Sequence, residues 1–198
     1  MGDRLGANKN MKLKIPFSRT IKHVWDYKTQ VRQFKKEKWF FSEIRTNLYI
    51  WERVAWEKFY APINLTGKTV LDVGAGEGES AYFFLKHGAK RVVCVEPWDE
   101  AYANLELNAK FHKEIVPIFK AFSLDDLKIP DIDFAKIDIE GYEEILVGQP
   151  KPSFAVVVEL HGLQLRDRFR EAGFWKIDCP FNGGSEWFNY IHMATYLP

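Results

Sequence analysis

The stretch Thr69-Val70-Leu71-Asp72-Val73-Gly74-Ala75-Gly76-Glu77-Gly78-Glu79 decides the fold of this chain. Its apolar, β-branched first half predicts a buried strand, and its glycine-rich second half predicts a tight turn. Glycine adopts positive φ and lets a ligand approach the main chain, so three glycines at alternate positions indicate a nucleotide-like ligand above the strand. The spacing differs from the Gly-x-Gly-x-x-Gly pattern of dinucleotide-binding folds. The segment therefore predicts an α/β domain with a nucleotide-like ligand at this turn.

Length and composition narrow the class of protein further. A chain of 198 residues with 46% hydrophobic and 16% aromatic residues is long enough for one substantial core and is not intrinsically disordered. No apolar run approaches the roughly 20 residues of a membrane-spanning helix, and the first residues lack the apolar segment of a secretory signal. Two cysteines do not make a disulfide framework. We therefore expect a cytoplasmic protein with no membrane partner, whose oligomeric state the sequence does not determine.

The charge is divided unevenly along the chain. Residues 1–60 contain 14 Lys+Arg and 6 Asp+Glu, a net charge of +8, whereas the remaining residues have a net charge of −7. Such a segment either binds nucleic acid or forms a solvated helical face that packs on the acidic part of the chain. Its aromatic residues either belong to a core or stack on bases and sugars: Trp25, Tyr27, Trp39, Phe40, Trp51 and Trp56.

The N-terminal part divides into two predicted segments. Residues 1–15 are polar and aperiodic, which predicts a flexible arm. Residues 16–62 are predicted to form a helical extension, in which an apolar face recurs at helical spacing at Ile44, Leu48, Trp51, Ala55 and Phe59. We expect this extension to pack on a core domain that occupies residues 63–198.

A second strand and an acid follow the glycine turn. Arg91-Val92-Val93-Cys94-Val95-Glu96-Pro97 predicts a buried strand that ends in Glu96, about 20 residues after the glycines. In nucleotide-binding α/β folds a carboxylate at this position accepts hydrogen bonds from ribose hydroxyls. Further alternation of strands and helices predicts a parallel sheet with its ligands at the carboxyl ends of the strands. Pro180–Ser185 is predicted to be the turn that joins the last two strands.

Four ordered motifs between about Thr66 and Gly162 give a more specific indication. They are the glycine turn, Leu124-Asp125-Asp126-Leu127, Lys136-Ile137-Asp138-Ile139-Glu140-Gly141-Tyr142-Glu143 and Val156-Val157-Val158-Glu159-Leu160-His161. In this order they resemble the FkbM-type methyltransferases of the class I superfamily, which depend on S-adenosylmethionine. The resemblance covers roughly half of the chain and leaves the N-terminal extension outside it.

The resemblance implies a fold, a cofactor and a reaction. The fold is a Rossmann-like, seven-stranded, mostly parallel sheet with an antiparallel last strand, helices on both faces and extra N-terminal helices. The cofactor is S-adenosylmethionine, the methyl group usually goes to an oxygen atom, and residues 63–198 are the methyltransferase domain. The residues expected at the cofactor are Asp72, Gly74, Ala75, Gly76, Gly78, Glu96, Pro97, Ala121, Phe122 and Asp138.

Acid and base residues converge at two later strand ends. We expect Asp138, Glu140, Glu159 and His161 to lie near the methyl group, with His161 as the general base and Glu159 as the residue that orients it. Strand alternation would place Glu159 and His161 on one face and Asp138 and Glu140 on another. Two alternatives remain: purely structural roles, and a divalent cation that lowers the pKa of an acceptor hydroxyl. No metal site is predicted.

The acceptor is the least determined feature. The fourth strand lacks the Asn/Asp-Pro-Pro-aromatic motif that grips exocyclic nitrogens in amino-directed enzymes, which favours an oxygen acceptor. We therefore expect a small-molecule or glycan hydroxyl. The alternatives are an RNA acceptor that is bound through residues 1–60, and a non-catalytic methyltransferase-like binding or scaffold module.

Overall fold

The computed structural model describes residues 17–172, 176–178 and 191–198. The helices are α1 (Phe17–Lys36), α2 (Glu43–Phe59), α3 (Glu79–Lys86), α4 (Asp99–Phe111) and α5 (Leu163–Glu171). The strands are β1 (Thr69–Val73), β2 (Arg91–Glu96), β3 (Ile115–Phe119), β4 (Phe134–Ile137), β5 (Ala155–His161), β6 (Lys176–Asp178) and β7 (Ile191–Tyr196). Short 3-10 helices span Leu124–Lys128 and Glu143–Leu146. Among the described helices, none combines the length and apolar character that crossing a membrane requires.

The strands form one sheet in the order β3-β2-β1-β4-β5-β7-β6. Strands β1 to β5 pair in parallel, and β7 runs antiparallel to both β5 and β6. The prediction of a Rossmann-like α/β fold with a mostly parallel sheet and an antiparallel last strand is therefore confirmed. Because parallel strands share their direction, the segments after β1, β2, β4 and β5 all emerge at the same edge.

Both faces of the sheet are buried, which explains why its central strands are almost continuously apolar. On one face Val70, Val92 and Phe134 pack in a cluster with the aromatic residues of α2 and α3. On the other face a second cluster includes Leu71 and, from α5, Phe169. Adjacent residues of β1 thus enter opposite clusters, as the two-residue period of a strand requires.

Helix α2 buries a different face from the one that its sequence predicts. Its buried residues are Thr46, Tyr49, Ile50, Ala55 and Trp56, whereas Ile44 is 72% exposed and Trp51 is 49% exposed. The ring of Tyr49 lies 5.5 Å from that of Tyr82, and a similar aromatic contact joins α2 to α3 near its other end. The aromatic surface of α3 therefore selects the buried face of α2. Of the predicted apolar stripe, Ala55 is buried and Phe59 is partly buried against the core, whereas the prediction was wrong for Ile44 and Trp51.

Several predictions lie at or beyond the limits of the described residues. The flexible arm at residues 1–15 and the turn at residues 180–185 lie outside them. Strands β6 and β7, between which that turn is predicted, pair antiparallel.

Candidate functional site

The glycine turn, residues 74–78, leads from β1 into α3 with positive φ at all three of its glycines. Gly74 has φ +69, and a Cβ atom there would lie 1.8 Å from the backbone oxygen of Asp138. A side chain at this position would push apart the segments that follow β1 and β4. The glycine therefore lets the two strand ends approach to backbone contact.

The carboxylate of Glu96 lies directly beside this turn. Its Oε2 accepts a hydrogen bond from the Gly76 N–H at 2.8 Å, and its Oε1 accepts one from the Trp98 N–H at 2.9 Å. The side chain is 4% exposed, so these two backbone donors fix its position. Each carboxylate oxygen has a second lone pair, which leaves Glu96 able to accept hydrogen bonds from a pair of ribose hydroxyls.

Asp72 and Lys136 form a buried ion pair beneath the turn. Lys136 Nζ lies 3.4 Å from Asp72 Oδ1 and donates a hydrogen bond to the Gly74 carbonyl oxygen at 2.8 Å. Asp72 also accepts a hydrogen bond from Ser80 Oγ at 2.6 Å and has no exposed surface. Burial raises the pKa of Asp72, and Lys136 and Ser80 oppose that shift. Asp72 thus supports the turn from below.

Helix α2 and the loop before it cover the outer side of the turn. The Ser42 N–H donates to Glu77 Oε2 at 2.6 Å, and Arg45 Nη1 lies 2.9 Å from Glu79 Oε1. Burial raises the pKa of Glu79 to about 7, although Arg45 opposes the shift. Since Arg45 Nη1 would also lie 2.9 Å from a Cβ on Gly76, the N-terminal extension packs against the turn itself.

Asp138, Glu140, Glu143 and Glu159 surround His161 at the carboxyl ends of β4 and β5; we call these five residues the His161 cluster. His161 Nδ1 lies 2.8 Å from Glu143 Oε1. Its Nε2 lies 3.7 Å from Asp138 Oδ1, 3.6 Å from Glu140 Oε2 and 3.9 Å from Glu159 Oε1. One donor atom each from Asp138, Glu140 and His161 lies within 4.8 Å of the others, a separation that a metal ion could bridge.

The charges of the His161 cluster perturb one another. Burial lowers the pKa of His161, but the hydrogen bond to Glu143 and the nearby carboxylates outweigh it and raise that pKa to about 9. Burial, together with Asp138 and Glu52, raises the pKa of Glu159 well above its usual range. Glu52 of α2 responds in the same way, since burial and Asp138 raise its pKa to about 8. With no ion bound, His161 therefore holds its proton at neutral pH.

This geometry differs from the predicted one in two respects. The residue that bonds His161 Nδ1 is Glu143, not Glu159, because Glu143 is fully buried beside the ring. Asp138 and Glu140 do not lie on a separate face, because β4 ends at Ile137 and Glu140 itself has φ +52, so the alternation of the strand stops before them. All four predicted catalytic residues consequently meet at one place.

The other predicted cofactor residues are distributed around the same edge of the sheet. Ala75 is fully buried, and its N–H donates to the Val95 carbonyl oxygen at 3.3 Å. Pro97 and Ala121 are exposed after β2 and β3, and Phe122 is half-buried against the second core cluster. They follow β2 and β3 at the edge of the sheet that also carries the glycine turn.

Sequence reasoning assigned no role to four residues that shape this region. Lys136 and Glu143 belong to the quoted motif around Asp138, so the motif contained a signal for them. Arg45 and Glu52 come from α2; the ion pair of Arg45 with Glu79 and the electrostatic repulsion between Glu52 and Asp138 join residues far apart in the chain. No local pattern could have identified those two.

Comparison with known proteins gives short sequence matches and broad structural ones. No protein-family model matches the chain. The chain is 36% identical over 80 residues to the ribosomal protein L11 methyltransferase of Aquifex aeolicus, which is 40% of this chain and 33% of that protein. It is also 36% identical over 73 residues to the tRNA U34 carboxymethyltransferase of Dichelobacter nodosus, 37% of this chain and 23% of that protein. The matches thus span a third or less of these curated relatives.

A solved structure extends the likeness over most of the fold. TrmK of M. capricolum, in complex with S-adenosylhomocysteine, matches with a TM-score of 0.52 and 15% sequence identity, over 69% of this chain and 65% of that chain. At this identity the likeness establishes architecture only. The chain therefore has the Rossmann-like fold of the class I S-adenosylmethionine-dependent methyltransferases.

Proposed function

We propose that the chain is an S-adenosylmethionine-dependent methyltransferase that transfers the methyl group to a hydroxyl oxygen of a small molecule or glycan. One observation carries the proposal: the carboxylate of Glu96 is fixed against the Gly76 N–H at one end of an edge whose other end holds the His161 cluster. A nucleoside-binding carboxylate and an acid-base cluster at the same edge are what a methyl donor and its acceptor require.

The residues of the turn fit the donor. Glu96 would accept the ribose hydroxyls, and the glycine turn leaves room for the ligand to approach the main chain. Asp138 follows β4 next to Gly74 and would border the sulfonium end of the donor. Pro97, Ala121 and Phe122 would lie on the adenine side of the donor.

The reaction needs positioning and a proton acceptor. S-adenosylmethionine, when bound, would supply an electrophilic methyl group to the acceptor oxygen and would leave with the electron pair of the broken carbon–sulfur bond, as a neutral thioether. The hydroxyl proton goes to a base, and because His161 is already protonated at neutral pH without a bound ion, a carboxylate of the His161 cluster takes it. The imidazolium at Nε2 would then orient the acceptor oxygen by donating a hydrogen bond.

The choice of oxygen rests on the motif around Asp138. Lys136-Ile137-Asp138-Ile139-Glu140-Gly141 resembles the FkbM type, and it stands where amino-directed enzymes have their nitrogen-gripping motif. Carboxylates suit an alcohol, which must lose a proton to become a good nucleophile.

An RNA acceptor is a second candidate. Among the similar proteins, one is named a tRNA U34 carboxymethyltransferase, one is TrmK, and one is named a ribosomal protein L11 methyltransferase. In this chain, Trp98 and Tyr142 are 71% and 79% exposed and follow β2 and β4, at the edge that carries the site. Exposed aromatic rings stack on bases as well as on sugars, and the basic residues 1–60 would attract phosphates.

Calorimetry with S-adenosylhomocysteine tests the cofactor, and methyl transfer from labelled S-adenosylmethionine tests the acceptor. We expect saturable binding at one site per chain, and transfer to a hydroxyl-bearing glycan or metabolite pool that does not depend on salt. Transfer to RNA that falls steeply with salt would favour the second candidate. Binding without transfer to any acceptor would favour a non-catalytic module, and absence of binding would refute the proposal.

A further inference from the structure

We propose that Asp138, Glu140 and His161 form a binding site for a divalent transition-metal cation. Cation binding at these residues does not depend on the proposed reaction. Its consequence for an acceptor hydroxyl does rest on the proposed function.

The spacing of the three donor atoms suits a shared ion. His161 Nε2 lies 3.6 Å from Glu140 Oε2 and 3.7 Å from Asp138 Oδ1. Ligands about 2.1 Å from one ion are separated by about 3.0 Å at right angles and about 3.4 Å at tetrahedral angles. The observed distances are too long for direct hydrogen bonds and only slightly longer than tetrahedral ligands require. Side-chain shifts of a few tenths of an ångström would complete the site.

Glu143 holds the imidazole in the orientation that such a site needs. It is fully buried, and its Oε1 accepts hydrogen bonds from His161 Nδ1 at 2.8 Å and from the Gly141 N–H at 3.0 Å. Metal-binding histidines usually donate their other ring N–H to such a carboxylate, which fixes the tautomer and turns the free nitrogen to the ion. Here the free nitrogen is Nε2, and it faces both Asp138 and Glu140.

A buried oxygen without a partner provides independent support. Asp138 Oδ1 is inaccessible to solvent and accepts no hydrogen bond from the residues that the structure describes. Burying a carboxylate oxygen without a hydrogen-bond partner is unfavourable. Lys136 Nζ lies 3.4 Å from the other oxygen, Oδ2, and His161 Nε2 lies 3.7 Å from Oδ1, beyond hydrogen-bond distance. An ion at the shared site would be bonded to this orphaned oxygen.

The donor set indicates the class of metal. Two carboxylates suit Mn²⁺ and Mg²⁺, whereas an imidazole suits Zn²⁺ and the later transition metals, so the mixture favours Mn²⁺, Fe²⁺ or Zn²⁺ over Mg²⁺. Glu140 is exposed and His161 is only partly buried, so solvent or an acceptor oxygen could occupy an open position. An alcohol bound there would lose its proton more readily, which is the requirement of the proposed transfer to oxygen.

The test is a titration of the purified full chain with MnCl₂, in which electron paramagnetic resonance measures free Mn²⁺. We expect one Mn²⁺ per chain, displaced by ZnCl₂ more effectively than by MgCl₂. Glu140→Gln and Asp138→Asn should each weaken Mn²⁺ binding by about tenfold or more. Glu144→Gln is the matched control, because it removes the same charge from an exposed neighbour that is not a ligand, and its affinity should equal that of the wild type.

Two results would overturn the inference: no Mn²⁺ or Zn²⁺ binding by the folded chain, or Glu140→Gln binding that equals the Glu144→Gln control. Glu140 is 80% exposed, so its substitution does not endanger folding. S-adenosylhomocysteine binding, measured on the same samples without metal, separates this outcome from failure of the proposed function. Cofactor binding without metal binding refutes the cation site alone, and metal binding without cofactor binding refutes the proposed function alone.

Discussion

Gly74→Ala should be the most damaging single-methyl substitution in the glycine turn. Its added Cβ would lie 1.8 Å from the Asp138 backbone oxygen and 3.0 Å from the carbonyl carbon. Backbone atoms cannot rotate away as the end of a flexible side chain can. Relief therefore requires that the segments after β1 and β4 separate, which would also move Asp138.

Gly67→Ala supplies the reference for the expected loss in free energy of unfolding. Gly67 has φ +74, nearly the φ +69 of Gly74, but a Cβ there meets nothing within 4 Å. Gly67→Ala should thus cost only the left-handed backbone conformation, about 1–2 kcal/mol. Gly74→Ala carries the same cost plus overpacking of about 1–3 kcal/mol or more, for a total of about 2–5 kcal/mol.

Urea unfolding followed by far-ultraviolet circular dichroism measures both variants, and calorimetry with S-adenosylhomocysteine measures their binding. Gly74→Ala should lose more free energy of unfolding than Gly67→Ala and should bind the cofactor product more weakly. Equal unfolding free energies for the two variants would show that β1 and β4 are not in backbone contact at this turn.

Three further predictions concern charged groups. Glu96→Gln should weaken S-adenosylhomocysteine binding by about 10- to 100-fold, since hydrogen bonds to a charged group contribute about 1.5–3 kcal/mol. Calorimetry measures this affinity, and the exposed control Glu100→Gln should bind as the wild type does. Folding raises the pKa of Glu79 from 4.5 to about 7, so the folded chain should lose stability as pH rises between these values. Glu79→Gln should remove up to about 3 kcal/mol of that loss, which urea titrations at pH 4 and pH 8 would measure. Lys136→Met should lower the free energy of unfolding by about 3–5 kcal/mol, because it leaves the buried Asp72 carboxylate unpaired. Adding Asp72→Asn should recover part of that loss, and additive effects of the two substitutions on the unfolding free energy would contradict this coupling.

Local sequence patterns were sufficient to predict the glycine turn and the position of Glu96 beside it. The apolar run of β1, the alternate glycines and the carboxylate about 20 residues later are all read within one β-α-β unit, and the structure brings Glu96 to the Gly76 N–H. The driving contacts are short in sequence, since a buried strand, a turn that needs glycine and the next parallel strand follow one another.

The arrangement of the His161 cluster depends on contacts that no local sequence pattern contains. The partner of His161 is Glu143, 18 residues away, and it reaches the ring because Glu140 and Gly141 both have positive φ and turn the chain after β4. The buried face of α2 was predicted incorrectly for a similar reason. Its sequence offers apolar residues on more than one side, and the aromatic surface of α3 decides which side is buried.

Strands β1 and β4 join the glycine turn to the His161 cluster. Lys136 Nζ donates to the Gly74 carbonyl oxygen at 2.8 Å and lies 3.4 Å from Asp138 Oδ2, and the Asp138 N–H donates to the Val73 carbonyl oxygen at 3.1 Å. The distance between the glycine turn and the His161 cluster is thus set by adjacent, buried strands that pair directly with each other. Because the proposed methyl transfer would be sensitive to small displacements of the reacting atoms, a change at Lys136 should affect cofactor binding and turnover together.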